Sequence, residues 1–221
     1  MRRSCLLLAL GALAACATKP HDYTAYLTHM PRAILVLPPI NDTLDVNASS
    51  AFLATVTRPL AERGYYVFPV AVVDAYLRQN GRPTPTDMHA VEPSKLREVF
   101  GADAALYISI KQWGTTYQVI NSSSRVVIEC HLVDLQTGTI LWAGTGAAVS
   151  DSCGGGGLVG ALVGAVVNQV ATSVHDPCPG LAGRANQQLF HNDRHGQLLG
   201  WRHPGFEADQ VARRSAATPT Q

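Results

Sequence analysis

The chain has 221 residues, 47% of them hydrophobic and 15% charged, enough apolar mass for one sizeable core without metal or dense disulfides. Its 17 Lys and Arg stand against 16 Asp and Glu, a formal net charge of +1. That balance excludes the basic footprint of a nucleic-acid-binding domain, so no nucleic-acid partner is expected.

The amino terminus reads differently from the rest. Arg2 and Arg3 precede an apolar run over 5–12, and small residues then lead to Leu13-Ala14-Ala15-Cys16, in the order of a secretory signal. The run is far short of the ~20 residues a spanning helix needs. The stretch resembles a bacterial lipobox. That resemblance implies cleavage of a signal peptide over 1–15, a diacylglyceryl group on the Cys16 thiol and acylation of the new amino terminus. These covalent acyl chains are the only non-protein groups expected, with no cofactor and no metal. Each buried methylene contributes ~0.8 kcal/mol, so several chains hold a membrane firmly where one holds it marginally. Loss of Arg2 and Arg3 leaves 15 basic against 16 acidic residues, a formal charge of −1. Ala17 stands where an inner-membrane retention signal would place Asp. Likeness to sorted lipoproteins therefore points to the outer membrane, with the domain facing the periplasm or the cell surface.

Residues 16–31 mix Lys19, Pro20, His21, Asp22 and Pro31 without period and read as a lipidated tether, followed by a domain over 32–206. The run Ala33-Ile34-Leu35-Val36-Leu37, stopped by Pro38-Pro39, has the pattern of a strand buried on both faces. Ser49 or Ser50 can cap a helix with Phe52, Leu53, Val56, Leu60 and Ala61 at helical spacing, disturbed by Pro59 and ended by Gly64. A second strand over 65–70, a short helix over 72–77, a Pro/Thr loop over 82–86 and a helix over 94–100 between Pro93 and Gly101 follow. The third buried strand begins at Ala104. From there the pattern turns to hairpins, with strands over 104–113, 124–134 and 139–149 and a turn signal at Asp134-Leu135-Gln136-Thr137-Gly138. The predicted fold class is α/β: a single three-layer domain whose mixed sheet opens β-α-β-α-β, continues as antiparallel hairpin strands, and carries C-terminal helices.

Four glycines at 154–157 precede an apolar run over 158–167, with Gly156, Gly160 and Gly164 at small-xxx-small spacing. The run is too short to span, so it reads as a core helix packed closely on the sheet or on a neighbouring subunit. A last helix over 181–190 is followed by a polar segment and by a tail over 207–221 expected to be disordered. Of five cysteines, Cys5 leaves with the signal, Cys16 carries lipid and Cys130 sits on the apolar face of a strand. Cys153 and Cys178, at the two ends of the glycine helix, are expected to form a disulfide closing a loop worth roughly 3 kcal/mol.

Catalytic chemistry finds little support. The glycines at 154–157 lack the Lys-Ser or Lys-Thr of a phosphate loop, and no G-x-S-x-G pentapeptide nominates a serine nucleophile. His191, Asp193 and His195 form H-x-D-x-H, but the further ligands a zinc site needs are missing, and a solvated surface segment is the expected reading. Asp74, Asp103 and Asp134 stand at helix or turn boundaries, where capping explains an aspartate.

The lipobox, Ile34-Leu35-Val36-Leu37-Pro38-Pro39, the strand entry over 101–108, the turn over 134–138, the glycine-rich helix behind Cys153 and the segment Leu198-Leu199-Gly200-Trp201-Arg202-His203-Pro204-Gly205-Phe206 together resemble a family of lipoproteins of unassigned function from Gram-negative bacteria, some of them neisserial surface-antigen candidates. More distantly, the element order and the D-x-x-T-G turn resemble the periplasmic core of the curli-secretion-channel lipoprotein. Here only about ten residues connect the strands either side of 114–123, too few for two strands of ~9–11 residues to cross a membrane. The resemblance therefore implies an accessory or assembly role beside such a channel, and it supplies no catalytic residues. The expected function is a non-enzymatic envelope lipoprotein that binds protein partners as a homo- or hetero-oligomer. The alternative is a periplasmic ligand-binding protein or hydrolase using the crevice at the strand C-termini, near 38–41 and 69–73.

Overall fold

The computed structural model describes residues 21–117, 122–151, 176–192 and 195–217. Helix α1 (Thr24–His29) leads into β1 (Ala33–Val36) and the short β2 (Ile40–Asn41). There follow α2 (Ala48–Glu62), β3 (Tyr66–Val67), α3 (Val70–Gln79), α4 (Pro85–His89) and α5 (Pro93–Phe100). The long strands β4 (Ala104–Tyr117), β5 (Ser122–Asp134) and β6 (Ile140–Asp151) come next, then α6 (Cys178–Phe190) and α7 (Phe206–Ala217). The strands form one mixed sheet in the order β3-β1-β4-β5-β6, with β2 alongside β4. β1 runs parallel to β3 and β4, whereas β4, β5 and β6 are antiparallel neighbours. The α/β class and the mixed sheet expected from the sequence are what the chain adopts.

Alternation along β1 explains its unbroken apolar run. Ile34 and Val36 join Leu106, Ile108, Ile128, Cys130 and Leu132 in a core covered by α1, α2 and α6. Leu35 and Leu37 face the other way, onto Val73, Leu77, Met88 and Leu96 of α3, α4 and α5. β5 is one-sided: Val126, Ile128, Cys130 and Leu132 are buried while Arg125 and His131 are exposed. A bulge between Ile110 and Gln112 leaves Lys111 outside the ladder register, where its ammonium meets Asp42 at 2.8 Å and Glu129 at 3.6 Å.

Several segments differ from the sequence reading. The region expected as a tether over 16–31 is helical at Thr24–His29, with Tyr26 wholly buried. The tail expected to be disordered from 207 forms α7 up to Ala217, its first turn stabilised by Glu207 and Asp209. The strand predicted over 65–70 is only Tyr66–Val67, because Pro69 cannot donate to a ladder and instead starts α3. Within the predicted Pro/Thr loop, Thr84 and Asp87 form a reciprocal capping box that opens α4. Pro59 does sit inside α2. A mid-helix proline costs about 3 kcal/mol, which burial of Phe52, Val56 and Leu60 at about 1.5–3 kcal/mol each outweighs. Neither Ser49 nor Ser50 caps α2; the Ser49 hydroxyl donates to the Pro39 carbonyl instead.

The chain after α6 returns to the loop before β3. Gly200 N–H donates to the Arg63 carbonyl at 2.7 Å and Arg202 N–H to the Gly64 carbonyl at 3.2 Å. Gly64 has φ +91°, and a Cβ there would collide with His203 N and the Gly200 carbonyl; a Cβ on Gly200 would strike the Gly64 backbone. Beside this contact the buried Tyr65 hydroxyl donates to the Leu198 carbonyl at 2.7 Å. Its proton being used there, Tyr65 accepts from the Tyr26 hydroxyl at 2.6 Å. Tyr65→Phe therefore strands two buried groups and is expected to cost roughly 2–4 kcal/mol, against about 1 kcal/mol for Tyr26→Phe, which leaves Tyr65 bonded to Leu198. Urea unfolding of the two variants checks the order; equal losses would contradict this direction of donation.

Candidate functional site

A cavity of about 850 Å³ opens at the end of the sheet where β1 and β4 begin. Met30, Pro31 and Arg32 form one wall, and Phe206, Gln210 and Val211 of α7 form the facing wall, with Trp201 and Asp103 between. Met30 takes a left-handed conformation, φ 38°, that ends α1 and turns the chain into β1. Asp103 fixes this entry, its carboxylate accepting from Arg32 N–H at 2.9 Å and Ala33 N–H at 3.0 Å. Asp134 closes the neighbouring hairpin by accepting from Gln136 N–H, Thr137 N–H and the Thr137 hydroxyl. Asp134 thus holds its own turn, as expected, whereas Asp103 holds backbone far earlier in the chain and Asp74 lies inside α3, paired with Arg78 at 2.9 Å, so neither of these two is a local cap.

The rim of the cavity carries a stack of cations and rings. The Arg32 guanidinium lies 5.8 Å from the Trp201 ring, and Arg202 lies 4.7 Å from Trp201 and 5.6 Å from Tyr66. Trp201 is 44% exposed and Tyr66 41% exposed. From Tyr66 the edge-to-face contacts continue through the half-buried Phe68 and Phe100 to Tyr76, which is exposed again. In the sequence Trp201 and Arg202 stand out only as part of a family-like segment; the Gly64–Gly200 contact brings them beside Tyr66.

The crevice at the strand C-termini, where an open α/β sheet would bind a ligand, holds the chain's own groups. Beyond Pro38-Pro39 the chain continues as β2 against β4, at Ile40↔Ser109 and Asn41↔Ile110. The His89 Nε2–H donates to the Pro38 carbonyl at 2.9 Å, and the ring packs edge-on to Tyr107.

The predicted site residues are spread widely. Cys16 and Cys153 lie outside the described residues, as do Asp193 and the run over 158–167. Cys130 is a buried thiol in β5, as expected. Cys178 is buried at the start of α6, and its expected partner Cys153 is not among the described residues; burial first, then the Asp176 carboxylate, push the Cys178 thiol up to about 12, which disfavours the thiolate. His191 donates from Nε2 to the Pro59 carbonyl at 3.1 Å and so caps the last turn of α2, a role its sequence context did not show. His195 supplies its carbonyl to the Trp142 indole N–H at 2.7 Å. Among the described residues no group of His, Cys, Asp and Glu is placed to hold a metal ion, and no helix is long and apolar enough to cross a membrane.

The sheet order, the α1 entry and the returning 196–206 segment define a single α/β domain with a mixed sheet. The chain belongs to the GNA1162-like lipoprotein family, whose description, "Putative lipoprotein GNA1162-like", matches residues 21–202. It is 45% identical over 174 residues to the Neisseria meningitidis serogroup B protein "Putative lipoprotein NMB1124/NMB1162", covering 77% of this chain and 81% of that one. The crystal structure of lipoprotein GNA1162 from Neisseria meningitidis has 46% sequence identity and a TM-score of 0.54, covering 64% of this chain and 99% of that one. A looser likeness, TM-score 0.44 at 13% identity over 77% of this chain and 91% of the other, is to PelC from Paraburkholderia phytofirmans and carries nothing about assembly. Membership makes this chain a membrane-anchored envelope lipoprotein.

Burial holds the His89 imidazole below its usual 6.5, the bond to Pro38 only partly offsetting it. As pH falls through 6.5 the unfolded chain therefore binds the proton first, and folded stability is lost from there down to the lowered value. Thermal unfolding at pH 7.5 and pH 5 is expected to show a larger drop for the wild type than for His89→Gln. An equal drop would show that His89 carries no part of the acid sensitivity.

Proposed function

We propose that this chain is an outer-membrane lipoprotein, held by acyl chains on Cys16, whose α/β domain is a non-enzymatic binding and assembly component for protein partners in the envelope. The carrying observation is the folding of α1 onto the domain through the buried Tyr26. With His21 already against His195 of the domain, four residues stand between it and Cys16, five Cα steps with a reach of about 17 Å when fully extended. Such a leash suits a domain working at the membrane surface rather than far from it. Assembly is supported by β6, which among the described residues pairs with β5 alone and leaves Ile140 and Val149 exposed. A 12-residue edge strand offers a row of backbone groups to a partner strand, from a second copy or from another protein. An accessory role beside a curli-type secretion or surface-assembly system is the form of this reading that the sequence resemblance favours.

Radiolabelled palmitate is expected to enter the wild type, recovered in the outer-membrane fraction, and not Cys16→Ala. Labelled or membrane-retained Cys16→Ala would refute the anchor, and crosslinking in native membranes that yields only monomer would refute assembly. Pairing of Cys178 with Cys153 in the oxidising envelope belongs to the same proposal. Protein isolated from the envelope and denatured without reductant should then titrate one thiol, that of Cys130; three titrating thiols would exclude the bridge.

A further inference from the structure

Arg32 and Arg202 share an uncommon situation. Among the described residues neither forms an ion pair with a carboxylate, and both lie over the exposed Trp201 ring. An exposed guanidinium beside an aromatic ring and without a carboxylate partner has N–H groups to offer, in the fork that fits a phosphate. Trp and Tyr are the side chains that settle at headgroup depth, an apolar ring with one polar edge. Two carboxylates lie nearby and both have other work. Asp103 accepts from the Arg32 and Ala33 N–H groups and stands 3.9 Å from Arg97, while Glu207 sits in the first turn of α7 and complements the helix terminus.

The position of the stack decides what it meets. Resting on the reading that Cys16 carries lipid, the leash of about 17 Å ends at His21, whose ring lies 4.6 Å from Tyr23. Helix α7 runs back along α1, Arg213 stacking on Tyr23 and Gln210 touching Met30. The root of the leash and the rim of the cavity therefore lie along one helix pair about 10 Å long. We propose that Arg32, Trp201, Arg202 and Tyr66 form a bilayer-docking surface that binds the phosphates of an anionic phospholipid membrane and seats the lipidated domain on it. An acidic protein surface has some of the same chemistry, but the leash keeps the stack within reach of phospholipid whichever partner is present.

The test uses the full lipidated protein in vesicles of phosphatidylcholine, alone or mixed with phosphatidylglycerol, carrying brominated acyl chains. Trp113 and Trp142 are buried, so the lipid-accessible emission is that of Trp201. Bromolipid quenching is expected in the mixed vesicles and is expected to be much weaker in phosphatidylcholine alone. Arg32→Glu and Arg202→Glu should each lower the docked-to-free ratio about fivefold or more, and raised salt should do the same for the wild type. Unchanged emission of the buried tryptophans and an unchanged Tm certify that the variants are folded. Trp201 open to aqueous acrylamide and untouched by bromolipid in the mixed vesicles overturns the proposal, as does shielding that requires an added acidic envelope protein. The anchor is read separately by flotation. Protein that floats with both vesicle types without quenching keeps the anchor and sinks the docking surface; protein that floats only with anionic vesicles, and only with both arginines, does the reverse.

Discussion

Where Gly64 meets Gly200, two backbones approach more closely than any side chain would permit, and three separate features follow from that approach. It aligns the 200–202 backbone with the carbonyls of Arg63 and Gly64, which sets Trp201 and Arg202 beside Tyr66. It presents the Leu198 carbonyl to Tyr65, and Tyr65 in turn receives Tyr26, so the position of α1 depends on a contact made more than 130 residues later in the chain. A Cβ at either glycine would push these segments apart and take the amino-terminal edge of the domain with them.

The sheet divides its own work. β1 is closed on both faces and has no surface to offer, while β5 and β6 are packed on one face by α6. Gly144 and Gly146 permit that packing: a side chain at the first would strike Leu189 and Trp142, and at the second would press on the Ala185 carbonyl. At the strand C-termini the chain spends His89, Ser49 and β2 on its own carbonyls and ladder. Space is left instead at the opposite end, where the α1–β1 turn and α7 stand apart. The topology that usually makes an α/β crevice is thus present, and the crevice is used for structure.

What could be read from the sequence was local. The β1 run, the helix between Pro93 and Gly101, and the Asp134 to Gly138 turn each carry their own physics, in apolar pattern, a proline at the first turn, a left-handed glycine and an aspartate that holds the turn. The capping box of α4 was equally local, Thr84 and Asp87 at the required spacing, and was masked by the two prolines around it. Helix α1 was different in kind. Six residues cannot hold a helix by propensity, and its stability comes from Tyr26 burying against distant partners. The cation and ring stack joins Arg32, Tyr66 and Trp201, residues that no periodicity relates. His191 was visible as part of a metal-like pattern, yet its partner is the carbonyl of a mid-helix proline 132 residues away.

The two surfaces left open lie on different parts of the sheet, and this separation bears on how they can be used together. β3, with Tyr66, is one edge and β6 is the other among the described strands. β6 starts at Ile140, close to the Asp134 turn and the base of the domain, and its 12 residues carry the edge about 40 Å from there. A domain seated on a bilayer through the basic stack would keep the far end of the β6 edge away from the end that docks. Docking and strand pairing would then not compete, and each would limit the rotational freedom that the other must overcome.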